Sequence, residues 1–333
     1  MSSIITNNSA MSALSTLRNI NSNLNSTQDR ISSGLKVSSG KDNAAYFAIS
    51  ETMKGDSGMT KAVNESLTLT KNSVATARLG AEQFSNLATE FRDKIAFAQE
   101  NKGGLDKIEA DLKRLVADMG AIVSQSTFNG DDLVNASATK LTTNDGTTDV
   151  YMVVNATGTM TYAPNADGTG TAIAEGTTAT QFNAEGKTST RSVVSGISRA
   201  GGLNTTTINV ETVDLFTMKK EFEAISNGFA TKAKDATNGE AFLKGVLSIA
   251  DAAKGRAVSA ATTLGQSEKS IERQQEFLTK LSDNLDSGVG AMVDANMEEE
   301  AARLQSLQVQ QQLASQSLSI ANQAPQNILS LFR

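Results

Sequence analysis

The stretch VNESLTLTKNSVATARLGAEQFSNLATEFRDKIAFA, residues 63–98, decides the fold. Within it Val63, Leu67, Thr70, Val74, Ala77, Ala81, Phe84, Ala88, Phe91, Ile95 and Ala98 recur at alternating spacings of four and three. Ten of these eleven are apolar, which makes the row a coiled-coil seam sustained over five heptads. Extended outward, the pattern predicts one helix over 44–100, roughly 85 Å long at about 1.5 Å per residue and far beyond the average globular helix. The "NKGG" at 101–104 ends it. A second helix follows, with Leu105, Ile108, Leu112, Leu115, Met119 and Ile122 on one face. The short glycine turn folds it back antiparallel on the first. In the C-terminal half Leu264, Ile271, Leu278 and Leu285 recur every seven residues, with Ala257, Ala260, Gln274 and Leu281 between them. A third long helix over about 240–286 completes an antiparallel bundle. "SGVG" at 287–290 is expected to interrupt it, with helix resuming from about Ala291.

The two ends repeat the theme with mixed stripes. Leu14, Leu17, Leu24, Ile31 and Leu35 fit heptad positions, while Asn21 and Gln28 occupy others. Val293, Met297, Leu304, Leu307, Ala314, Leu318 and Ala321 form a second row, broken by Glu300 and Gln311. From 301 to 333 the only charges are Arg303 and Arg333. A lone solvated helix carries more charge, and a short one is marginal in water, so both end segments read as helices that need partners. Helix is expected to stop near Gln323, ahead of Pro325. Beyond it Ile328, Leu329, Leu331 and Phe332 form an apolar tail suited to contact between chains.

Residues 134–213 change composition to Thr, Gly, Asn and Ala. "DVYMVV" (149–154) and "TMTYA" (159–163) read as a hairpin around "NATG". "NADGTG" and "AEGK" read as turns and "TTINVETV" (206–213) as a further strand. The zone is a small β-rich, solvent-facing insertion. The fold class is therefore mainly α: a long antiparallel bundle and coiled coil built from both chain ends, with a small β-rich centre.

Composition narrows the function. The 333 residues carry 30 Lys+Arg against 36 Asp+Glu, a net charge of −6, which argues against nucleic acid as partner. No apolar run approaches the roughly 18 residues of a membrane span, and "MSSIITNNSAMSAL" lacks the features of an ordinary secretory signal. There is no His and no Cys, which removes the commonest general base, the commonest metal ligand and every thiolate nucleophile. The acidic run "DANMEEEAAR" (294–303) reads as a solvated helix start favoured by the helix dipole. "SGVGAM" lacks a third glycine and a preceding strand for a dinucleotide loop. Lys219–Lys220 is too small for a basic patch. No catalytic, cofactor or metal site is expected. Only Pro164 and Pro325 are proline, so nearly the whole chain is free to be helical.

The N-terminal stretch "ITNNSAMSALSTLRNINSNLNSTQDRISSGLKVSSGKDNAAYFAIS" resembles bacterial flagellin, most closely at Arg30–Lys36 and Gly40–Ala45. "TFNGDD" (127–132) resembles the family's Phe-Asn-Gly corner, and "LSIANQAPQNILSLFR" resembles its C-terminal ending. The resemblance covers about 1–133 and 240–333. It implies a secreted, homo-polymeric filament subunit for swimming motility, exported unfolded through the flagellar type III route. Residues 1–40 and 288–333 would then be a terminal coiled-coil inner core, in which Leu14, Leu17, Leu24, Ile31, Leu35, Met297, Leu304, Leu307, Leu318, Ile328, Leu329, Leu331 and Phe332 serve polymerisation. Residues 41–133 and 214–287 would be the filament wall, with a seam of Val63, Leu67, Val74, Phe84, Phe91, Ile95, Leu264, Ile271, Leu278 and Leu285. Residues 134–213 would be the variable outer domain. Implied partners are an export chaperone on the C-terminal segment, filament cap and hook-junction proteins, and co-assembling flagellins, with no membrane insertion.

Two departures stand out. Tyr46-Phe47-Ala48-Ile49 replaces smaller family residues. In the stretch that a Toll-like innate immune receptor reads in many relatives, Arg92 is kept, but Glu90 reverses a charge and Lys94 replaces a leucine. Poor receptor activation is expected, since a reversed charge at a contact typically costs several kcal/mol. Rival readings are a hook–filament junction protein and a surface glycan-binding or adhesive protein using 134–213. An enzyme is more distant. Ser and Thr of the outer zone could carry glycans, whereas the acceptor patterns at Asn135, Asn155 and Asn204 read as coincidence.

Overall fold

The structure is a computed structural model that describes residues 7–135, 151–163, 190–199, 202 and 204–331, with side chains described to residue 323 at the C-terminal end. The chain forms two compact units, Met1–Thr60 with Lys280–Arg333 and Lys61–Thr279.

The second unit holds the seam. Helix α2 runs Ala44–Glu100, α3 Leu105–Gln125, α4 Leu215–Ser226, α5 Phe229–Ala233 and α6 Gly239–Val293. Gly104, at φ 100, takes the left-handed conformation that turns the chain from α2 into α3. The facing parts of α2 and α6 are antiparallel. Asn64 donates to Thr279, Lys71 pairs with Glu272, Arg78 with Glu268 and Arg92 with Asp251, and Gln99 donates to the Leu243 carbonyl. These contacts lie on the rim and contribute little each. The driving force is apolar burial. Leu67, Val74, Ala77, Ala81, Phe84, Ala88, Phe91, Ile95 and Ala98 are all buried, together with Leu112, Met119, Leu264, Ile271 and Leu278 in one core. A fully buried side chain of the larger of these types stabilises by about 1.5–3 kcal/mol. The alternation of Ala with Phe along α2 leaves slots, and α4 fills one. Phe222 stands edge-on to Phe91 at 4.8 Å between centroids and tilted on Phe84 at 6.1 Å.

Among the described residues the strands form three separate two-stranded antiparallel ribbons. β1 (Thr127–Phe128) and β2 (Asp131–Asp132) close around Asn129 and Gly130, both at positive φ, as an Asn-Gly hairpin requires. Ser73 of α2 holds this corner by donating to Asp131 at 2.7 Å. β3 (Tyr151–Val154) pairs with β4 (Met160–Ala163) as the hydropathy predicts. β6 (Asn204–Glu211) pairs with β5 (Thr190–Ser198), a strand that sequence reading missed. The expected turns at 165–170 and 184–187 lie outside the described residues.

The ribbons are not simply solvent-facing. Met152, Val154, Val193 and Val210 belong to the helical core. At Gly158 the hairpin turn meets Gly245 of α6 backbone to backbone, so closely that a Cβ on Gly245 would lie 2.4 Å from the Gly158 carbonyl oxygen. Lys232 reinforces the docking by donating to the Val154 carbonyl at 2.6 Å. Gln274, a polar break in the predicted seam, donates to the Ser195 carbonyl at 2.8 Å, where β5 bulges between Val194 and Gly196.

In the first unit α1 (Asn8–Ser33) packs along α7 (Met297–Leu331). Asn7 caps α1 by accepting from the Ala10 amide, and Gly34, at φ 72, closes its other end. Two expectations are corrected here. "SGVG" does not interrupt the third long helix, because α6 continues to Val293. Its glycines serve packing: a Cβ on Gly288 would lie 2.8 Å from the Met53 methyl, and one on Gly290 2.7 Å from an Asp294 oxygen. The break falls at 294–296, where the amides of Lys36 and Val37 take the Val293 carbonyl and the Ala295 amide donates to Gly34. Asn296 then caps α7 by accepting from Glu298. Helix also does not stop near Gln323, since α7 runs through Pro325 to Leu331. Proline has no N–H to give the carbonyl four residues earlier, here Ala321. That carbonyl is instead satisfied by the Asn7 side-chain amide at 2.8 Å.

Candidate assembly surfaces

The α1–α7 pair is built from heptad rows, but not the row predicted for α1. Leu17, Leu24 and Ile31 are half-buried, as the spacing requires, while Ile20 and Thr27 are the buried members. Leu14 is exposed and Gln28 faces solvent. On α7 the buried or half-buried row is Glu300, Leu304, Leu307, Gln311, Ala314, Leu318 and Ala321, whereas Met297 is exposed. Of the polar residues that interrupt these rows, Asn21, Glu300 and Gln311 lie within the interface and Gln28 does not. Gln311 donates to Asn21 at 2.7 Å, and Arg30 pairs with Glu300 at 3.2 Å. Leu35 packs in a small separate cluster with Val37, Phe47, Met53, Val289, Met292 and Val293, which absorbs one ring of the unusual Tyr46-Phe47 pair. Tyr46 and Ile49 are exposed. The side chains of Ile328, Leu329, Leu331 and Phe332 lie outside the described residues.

With their mutual seam filled, α1 and α7 still expose Met11, Leu14, Val309, Leu313 and Ile320. Leu69, Leu79, Phe97, Val258 and Phe277 are likewise exposed on the long helices of the other unit. Val63 is partly buried against the core and Leu285 is half-buried in the first unit.

Two profiles match the chain. "Bacterial flagellin N-terminal helical region" covers residues 4–139 and "Bacterial flagellin C-terminal helical region" covers 247–332. Flagellin A of Rhizobium meliloti is 34% identical over 395 residues, spanning all of both chains. The chain belongs to the bacterial flagellin family. Flagellin of Brucella melitensis biotype 1 is likewise 34% identical over 337 residues and spans all of both chains. A solved flagellar hook-associated protein from Vibrio parahaemolyticus, 12% identical with a TM-score of 0.45, covers 76% of this chain and all of its own. That likeness is too loose to carry an argument. As a flagellin the chain is a structural subunit of the flagellar filament, and the junction-protein reading is not favoured. No described helix is long and apolar enough to cross a membrane.

The receptor-like stretch lies on α2. Glu90 is exposed. The Arg92 guanidinium is engaged by Asp93 at 2.6 Å and Asp251 at 3.3 Å, and Lys94 is paired with Asp111 at 2.9 Å. Hydrogen bonds that the guanidinium donates to Asp93 and Asp251 hold the Arg92 pKa above its ordinary value.

Asp214 and Glu221 are buried carboxyl groups of the large unit. Glu221 of α4 has a side chain only 10% exposed and bonds to the Arg256 guanidinium of α6. Burial pushes its pKa up to about 7, against the opposing pull of Arg256, with Asp214 adding a small push upward. A carboxyl whose folded pKa exceeds its unfolded value binds more protons when folded. Its contribution is therefore fully present below about pH 4.5 and is lost as pH rises through about 7. The loss is about 3 kcal/mol at most, at 1.36 kcal/mol per pH unit. Glu221→Gln is expected to flatten the fall in melting temperature between pH 5 and pH 8. Parallel calorimetric profiles for the two proteins would contradict it.

Proposed function

We propose that this flagellin is exported unfolded through the flagellar type III route and folds fully only as it polymerises outside the cell. The observation that carries the reading is the terminal helix pair. Its seam is satisfied, yet its outer faces leave Met11, Leu14, Val309, Leu313 and Ile320 in water. Contact with neighbouring copies would bury them. Unlike surfaces meeting head to tail extend into an open helical array. Residues 1–40 and 288–333 form the inner core in this reading, 41–133 and 214–287 the wall, and 134–213 the outer face. The tail residues Ile328, Leu329, Leu331 and Phe332 extend the inner contact. An export chaperone holds the C-terminal segment beforehand, and cap, hook-junction and co-assembling flagellin proteins are its partners at the growing filament. Salt-induced polymerisation of the purified chain, followed by electron microscopy, tests the reading together with restoration of swimming in flagellin-deficient cells. Absence of both filaments and swimming would overturn it.

A different surface, on α2 around Arg92, bears on immune recognition. Arg92 is held by Asp93 and Asp251, so a receptor that needs it must break those pairs and also meet the charges of Glu90 and Lys94. The purified monomer is expected to stimulate a Toll-like receptor reporter poorly. Strong stimulation at low concentration would refute this.

A further inference from the structure

Heptad rows of leucine carry little positional information. The row on α1 (Leu17, Ile20, Leu24, Ile31) and the row on α7 (Leu304, Leu307, Leu318) would bury similar apolar area after a seven-residue slide, about 10 Å. A like helix from another copy would also serve. Apolar burial alone therefore does not choose the register, the direction or the partner.

Polar contacts at three heights do. Near one end the Asn7 amide donates to the Ala321 carbonyl at 2.8 Å, the acceptor that Pro325 leaves without a donor. In the middle Gln311 donates to Asn21 at 2.7 Å. Near the other end Arg30 pairs with Glu300 at 3.2 Å. Positions 7, 21 and 30 ascend α1 while 321, 311 and 300 descend α7, so one antiparallel register satisfies all three.

We propose that these three polar contacts are the register key of the terminal helices, selecting the antiparallel partner within the chain over slid registers and over like helices of other copies. A slide of seven would set Asn21 against Leu304 or Leu318. It would also strip Arg30 from Glu300, whose side chain is only 8% exposed and whose second oxygen has no hydrogen bond, leaving it only the longer 3.8 Å pairing with Arg303 of its own helix. A buried polar group that loses its partner pays its full desolvation cost. Parallel pairing of two α7 helices would oppose Glu300 with Glu300, and two α1 helices Arg30 with Arg30. Both are repulsive elements against the wrong partner. Single polar residues in coiled-coil seams are known to set register in this way, at some cost in stability.

The inference rests on the assembly reading above. The test separates the two. The chain has no native cysteine, so spin labels at N25C and Q308C, both on exposed positions, report a single pair. Labelled chains are grown into filaments with an excess of unlabelled native protein. The otherwise native labelled chain is expected to give one distance; its failure to form filaments would count against the assembly reading. N21L/Q311L, which adds apolar burial, is expected to show a second, longer distance produced by an axial slide of about 10 Å, or to be excluded from filaments that accept N21Q/Q311N. Incorporation of N21L/Q311L with the single native distance would overturn the register key. So would exclusion of both variants, since packing volume rather than polar pairing would then decide.

Discussion

Leu307→Asp is expected to abolish filament formation while leaving the melting of the Lys61–Thr279 unit unchanged. Leu307 is 8% exposed and lies in the α7 row between Glu300 and Gln311, both of which reach across to α1. Opposite it α1 carries no Lys or Arg between Arg18 and Arg30, and Arg303, one turn earlier on α7, is exposed, so burying a carboxylate there costs several kcal/mol. The helix pair has few large apolar residues to offset that loss, since its seam includes Thr27, Ala314 and Ala321. The other unit has its own core. Sedimentation and electron microscopy after salt-induced polymerisation read the first half of the expectation, and scanning calorimetry the second. Filaments of normal length would show that the pair is not needed for assembly. A lowered melting temperature for the large unit would show that the two units are not independent.

Phe222→Ala is expected to cost the large unit about 3–5 kcal/mol. For a domain of this size that lowers the melting temperature by roughly 10 °C. Phe222 is fully buried and touches Phe84 and Phe91, the two rings on the α2 seam. Removing it would leave a cavity between three helices whose backbones are already braced, so little collapse can repair it. A loss below about 1 kcal/mol would mean that α4 relaxes into the space and that the slots along α2 are not rigidly held.

Much of the architecture was legible in the residues because helix period is a local property. The spacing of four and three along residues 63–98 requires a helix with one apolar face, and the same row is the buried row of α2. The Asn-Gly pair at 129–130 needs positive φ at both positions, which few other residues adopt without strain. What failed was legible only from the far side of a contact. β5 carries little alternation of its own and becomes a strand because β6 supplies its hydrogen bonds. The glycines of "SGVG" resemble a break until Met53 is seen against Gly288. On α1 the predicted row shared Leu17, Leu24 and Ile31 with the observed one. At the alternate heptad positions it took Asn21 and Gln28 where the fold buries Ile20 and Thr27, since a row one residue earlier at those positions alone fits the heptad equally well.

That the chain is a long helical bundle made from both its ends, without the His or Cys that most catalytic or metal sites would use, follows from residue order alone. The period of its apolar residues and the absence of those side chains are one-dimensional facts. Where the helices end and how they pair depends on contacts between residues distant in the chain. Pro325 stops a helix when its missing hydrogen bond goes unreplaced, and here Asn7, from the opposite end of the chain, donates to the vacant carbonyl. Asn21, Arg30, Glu300 and Gln311 are defects in each helix taken alone and become partners when the two are laid together. The worth of a polar group depends on what faces it, and what faces it is set by the fold.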